Sequence, residues 1–166
     1  MSVRDNYTMI NMREYLALGT DEEVGEPKMR DPKVWKDGDS YYMMMGSSYH
    51  DAGRVLFYTS KDGENWTYAN QCRPESYGWT IECPDLFSQN DQWIFIGCPM
   101  RLTPGEKKYP DQAVWALAEF DPKTCELKLP DTHSYVDYGL DLYAPQTTLD
   151  AEGRRVMISW MRMPMA

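Results

Sequence analysis

Two acidic residues stand out for their surroundings. Glu82 lies in the stretch Trp79-Thr80-Ile81-Glu82-Cys83-Pro84-Asp85-Leu86-Phe87, next to apolar side chains. Such surroundings disfavour a carboxylate and raise its pKa, as a proton donor working at neutral pH requires. Asp31 lies between Arg30 and Pro32. A neighbouring arginine keeps an aspartate ionised and ready to accept hydrogen bonds from hydroxyl groups. Paired carboxyl groups are the usual equipment for splitting a glycosidic bond. One protonates the leaving oxygen, and in retaining enzymes the other attacks the anomeric carbon, with the two about 5–5.5 Å apart. Local sequence fits plainer uses as well: Glu82 as a strand-edge glutamate facing water, and Arg30-Asp31-Pro32 as a surface turn with an exposed ion pair. With 26 acidic residues in 166, chance pairs are easy, so the choice depends on what positions them.

The positioning elements read as strands and turns. Tyr41 to Gly46 and Val55 to Ser60 are rich in β-formers, with Asp37-Gly38-Asp39 before the first run and Asp62-Gly63 after the second. Gln92 to Gly97 and Ala113 to Phe120 suggest a second antiparallel pair, and Arg155 to Trp160 a last strand. Tyr7 to Leu18 is the one stretch that suggests a short helix. A loose repeat runs through the chain. Arg30-Asp31-Pro32, Glu82-Cys83-Pro84 and Tyr143-Ala144-Pro145 each place a polar or acidic residue just before a proline that opens a strand, followed by a turn and an aromatic-rich strand. The intervals of about 50–60 residues suit propeller blades of four strands plus loops. Blade-equivalent positions converge on the axis, so Asp31, Glu82 and Tyr143 are expected to share one cavity. Short strands and aromatic residues also fit a β-sandwich.

Composition narrows the function classes. The formal net charge of −9 repels phosphate backbones and anionic membrane surfaces, so neither nucleic acid nor membrane is an expected partner. A neutral sugar meets no such barrier, and the 13% aromatic content serves strands and sugar clefts alike. The four cysteines form no CxxC pair and there are two histidines, which argues against a zinc site; no metal and no cofactor are expected. Reduced, mostly buried thiols and the lack of an apolar signal-type stretch after Met1 point to a cytoplasmic protein.

The three proline-centred segments together resemble glycoside hydrolase family 32, the invertases and fructanases. Arg30-Asp31-Pro32 is similar to its RDP motif, Glu82-Cys83-Pro84-Asp85 to its EC motif, and Asp137-Tyr138-Gly139-Leu140-Asp141-Leu142-Tyr143-Ala144-Pro145-Gln146-Thr147 to its third signature. The resemblance covers roughly residues 28 to 164. It implies an all-β fold, part of a five-bladed β-propeller, and retaining cleavage of β-fructofuranosides such as sucrose, sucrose-6-phosphate or fructan. It implies Glu82 as general acid/base and Asp31 as transition-state stabiliser. Arg30, Cys83, Asp137 and Tyr143 then line the substrate site, with Cys83 tuning Glu82 and Asp137 beside the leaving sugar.

Two features depart from that pattern. The family's nucleophile is an aspartate in an Asn-Asp-Pro-Asn-Gly type motif, and none of Asp5, Glu14, Asp21, Glu22, Glu23 or Glu26 stands in such a context. Ile81 occupies a position where many members have tryptophan. Five blades need roughly 200–300 residues, so the expectation is a single incomplete propeller domain over residues 1–166. It would comprise about three four-stranded blades, without the nucleophile segment or the family's C-terminal β-sandwich, and would be nearly inactive alone. Exposed blade edges then invite self-association or a complementing chain. The alternatives are a non-catalytic carbohydrate-binding or assembly module and a fructosyltransferase of the same fold.

Overall fold

A computed structural model describes residues 29–102, 111–139 and 141–162. Tyr7 to Leu18 and the six acidic residues before Asp31 lie outside the described residues. Strands β1 (Arg30–Asp37), β2 (Ser40–Tyr49), β3 (Ala52–Ser60) and β4 (Thr67–Cys72) pair in chain order as one antiparallel sheet. Strands β5 (Thr80–Gln89), β6 (Gln92–Met100), β7 (Val114–Asp121) and β8 (Glu126–Lys128) form a second sheet in the same order, and β9 (Ser134–Tyr135) pairs with the start of β7. β10 (Leu142–Leu149) and β11 (Arg155–Met161) make a two-stranded ladder. Consecutive four-stranded antiparallel meanders are the build of propeller blades, and the described residues are all-β, a partial propeller. The third unit is a hairpin among the described residues, where a four-stranded sheet was expected.

The turn chemistry is where the sequence placed it. Gly38 takes φ +56° between β1 and β2, in the left-handed region that glycine enters without steric cost. Met43, Met44 and Met45 point alternately to opposite faces of β2, and both faces are covered. Met44 joins Val55, Phe57, Ile81, Phe95 and Phe120 in a core between the first two sheets. Met43 and Met45 join Met29, Leu56, Tyr58 and Trp66 on the other side. A strand buried on both faces reads as a continuous apolar run, which is the pattern of β2 and β3.

The first strands of the sheets, β1, β5 and β10, position the candidate residues, with β1 and β10 both lying against β5. Gly46 makes this approach close: a Cβ there would collide with the carbonyl of Ile81, the residue before Glu82.

Candidate active site

Each inner strand carries the same irregularity. Pairing register shifts between Arg30 and Lys33 in β1, between Glu82 and Asp85 in β5, and between Tyr143 and Gln146 in β10. In each case the residue before the proline has a positive φ: Asp31 +55°, Cys83 +46° and Ala144 +51°. Left-handed backbone at a non-glycine residue costs on the order of 1–3 kcal/mol and persists only where the surroundings fix it. Proline lacks the ladder N–H and is tolerated inside sheets at bulges, and a bulge turns a side chain in a new direction.

The side chain so turned is the one two positions before each proline: Arg30, Glu82 and Tyr143. These three meet. The Arg30 guanidinium pairs with Glu82 Oε1, and the Tyr143 hydroxyl donates to Glu82 Oε2 at 2.8 Å. Three sheets thus hold one carboxyl group by both oxygens. Burial, with the negative groups around it, pushes the Tyr143 phenol well above the ordinary tyrosine range, so it stays protonated and keeps donating. The Arg162 guanidinium covers its ring at 4.2 Å.

This corrects the equivalence drawn from sequence, which grouped Asp31 with Glu82 and Tyr143. Arg30 is the equivalent residue, because the bulge sets the aim by distance from the proline. Asp31 belongs with Cys83 and Ala144 in the left-handed position. Its Oδ2 accepts the backbone N–H of Cys83 at 2.9 Å and the Cys83 thiol at 3.5 Å. The structure therefore ties Asp31 to the residue that follows Glu82. A hydrogen bond with Cys98, burial and the Asp31 carboxylate together push the Cys83 thiol far up, so it remains a thiol. Asp137 is half-buried beside Val136, which packs against Cys98 and Tyr143. Among the described residues, Asp137 makes no side-chain hydrogen bond with the other five candidates.

One position after each proline lies a second tier that the sequence reading missed. Lys33 Nζ lies 3.1 Å from Asp85 Oδ1 and donates to the Thr147 carbonyl at 2.6 Å. Asp85, fully buried, accepts the Thr147 N–H at 2.6 Å. Gln146 Nε2 donates to the Cys83 carbonyl at 3.0 Å. Aligning the three segments on Pro32, Pro84 and Pro145 was the available signal: Lys33, Asp85 and Gln146 are all polar on strands facing one axis. Among the described residues, no group of three His, Cys, Asp or Glu side chains is arranged to hold a metal ion.

The first strands of three successive sheets converge on a clasped carboxyl group, the arrangement expected of neighbouring propeller blades. The chain belongs to glycoside hydrolase family 32: residues 1–166 match the Glycosyl hydrolases family 32 N-terminal domain. It is 37% identical over 145 residues to the sucrose-6-phosphate hydrolase of Salmonella typhimurium, covering 82% of this chain and 31% of that protein. It is 33% identical over 142 residues to the raffinose invertase of Escherichia coli, covering 81% and 29%. Among solved structures it superposes on the GH32 β-fructofuranosidase of Bombyx mori with a TM-score of 0.73 and 35% identity, covering 84% of this chain and 31% of that one. A mutant of that enzyme was solved in complex with sucrose. The chain spans under a third of the length of each of these relatives.

Proposed function

We propose that this chain carries the acid/base part of a glycoside hydrolase site acting on β-fructofuranosides. Glu82 protonates the oxygen leaving the fructosyl group and later takes a proton from the incoming water. Asp31 accepts hydrogen bonds from fructose hydroxyls as positive charge develops on the ring. Arg30, Cys83 and Tyr143 hold these two groups in place, and Asp137 meets the leaving sugar. The observation that carries this reading is the clasp of Glu82 between Arg30 and Tyr143, which fixes the orientation of its carboxyl group. The names of the relatives support the substrate class, a small-molecule β-fructoside.

In the retaining route a carboxylate must bond to the anomeric carbon while the leaving oxygen departs with the Glu82 proton. Glu82 and Asp31 are both assigned elsewhere, and protonation alone does not replace that bond. The isolated chain is therefore expected to bind sucrose without releasing fructose. Calorimetric titration with sucrose, with and without Asp31→Asn, checks this alongside a fructose-release assay. Binding weakened at least about tenfold by the substitution, without turnover, is the expected result. Absence of binding, or binding indifferent to Asp31, refutes the site. Turnover at the rate of an intact invertase refutes the expectation of binding without fructose release.

A further inference from the structure

Strands β1, β5 and β10 lie against one another but belong to three different sheets, so no backbone ladder sets how far one slides along the next. Their cross-contacts nevertheless keep a constant step. Arg30 with Glu82, Asp31 with Cys83 and Lys33 with Asp85 are each 52 positions apart. Glu82 with Tyr143 and Asp85 with Thr147 are 61 and 62 positions apart. The three strands therefore run in the same direction, with polar contacts on both sides of Pro32 and Pro84.

The contacts before and after the prolines differ in kind. Before them, the Arg30–Glu82 pair and the bond from the Cys83 N–H to Asp31 engage groups that must also meet the sugar, and Arg30 and Asp31 are both exposed. After them, the Asp85 side chain is fully buried and that of Lys33 is 18% exposed. The Lys33 ammonium reaches Asp85 Oδ1 at 3.1 Å and the Thr147 carbonyl at 2.6 Å, while Asp85 Oδ2 accepts the Thr147 N–H at 2.6 Å. One buried ion pair thus ties all three first strands. Taking two charges out of water costs about as much as their attraction returns, so such a pair adds little net stability over an apolar pair of the same volume. What it adds is register. A slide of β1 along β5 by one residue, roughly 3.3 Å, leaves a buried charge without its counterpart, which an apolar contact would not penalise in the same way.

We propose that Lys33 and Asp85 are positioning residues for the Glu82 site. Their ion pair fixes the register of β1 against β5 and so holds the Asp31 carboxylate beside the Glu82–Cys83 segment. Neither side chain needs to touch the sugar. The proposal rests on the reading of the Glu82 site above and adds to it two residues that act through others.

The variant Lys33→Met/Asp85→Asn tests it. It removes both charges together, so neither is stranded, and asparagine keeps an acceptor for the Thr147 N–H. Circular dichroism checks the fold. The first readout is hydrogen exchange at the Cys83 amide, whose acceptor is Asp31 Oδ2. It should quicken at least about tenfold while the Met44 amide in β2 keeps its rate. The second is sucrose affinity by calorimetry. The roughly tenfold penalty of Asp31→Asn should shrink below about twofold in the double-variant background, a coupling that a purely stabilising pair would not produce. Lys33→Arg keeps the cation and should retain the unaltered chain's behaviour in both readouts. An unchanged Cys83 amide, equal acceleration at Met44, or an Asp31 penalty that persists overturns the proposal. So does a double variant that does not fold, which would make the pair a requirement of the fold, or a Lys33→Arg variant that behaves like the double one. Failure of the Glu82 reading shows separately: sucrose affinity then ignores Asp31→Asn in the unaltered chain, while the Cys83 amide still reports on the pair.

Discussion

Strands β2 and β11 are built from the same kind of residue. β2 runs Tyr41-Tyr42-Met43-Met44-Met45, and β11 runs Val156-Met157-Ile158-Ser159-Trp160-Met161. Their surroundings differ completely. Met44 is fully buried, whereas Ile158 is 70% and Trp160 62% exposed. β2 has β1 and β3 on its two edges and a second sheet against one face, while among the described residues β11 pairs with β10 alone. The apolar run sets what a strand gains from being covered; neighbouring sheets decide whether it is covered. Stability in this molecule is therefore concentrated where the first two sheets meet.

Phe57→Ala gives the sharpest test. Phe57 is fully buried, with its ring 5.3 Å from that of Phe120, and its loss should cost about 3–5 kcal/mol in urea unfolding. A cost below about 1 kcal/mol would mean that the two-sheet core does not dominate. Asp85→Asn probes the join between the second sheet and the β10–β11 hairpin. It keeps an acceptor for Thr147 but removes the charge facing Lys33, so a loss of about 1–3 kcal/mol is expected. Amide exchange should quicken in β10 before β2, and equal acceleration in both strands would contradict the join. Ile158→Ser should have the smallest effect, within about 0.5 kcal/mol, while reducing self-association measured by light scattering. A large destabilisation there would show that β11 is covered after all.

Much of the scaffold was legible. β2, β3, β6 and β7 coincide with the apolar runs, because strands buried on one or both faces carry their own hydrophobic record; β11 carries the same apolar run although its residues are largely exposed among the described residues. β4, β8 and β9 left little trace. Thr67–Cys72 and Glu126–Lys128 are short and largely polar outer strands, paired to a neighbour's ladder and reaching the core between the first two sheets through Cys72 and Leu127. At the site, the prolines marked the right segments, yet Asp31 was expected to share a cavity with Glu82 and Tyr143, and it is Arg30 that meets them. A bulge shifts which residue faces the axis by one position, and that shift is a backbone property absent from residue identities. The Lys33–Asp85 pair was hidden for a different reason: a lone lysine and a lone aspartate usually signal solvent, and their burial depends on two sheets arriving together.

The proline-centred bulge separates direction from chemistry. The left-handed residue and the proline decide where the preceding side chain points, whatever that side chain is, so one backbone device presents a cation, an acid and a phenol at neighbouring places around a common centre. A fold organised this way can exchange its reactive groups one letter at a time while its architecture stays untouched.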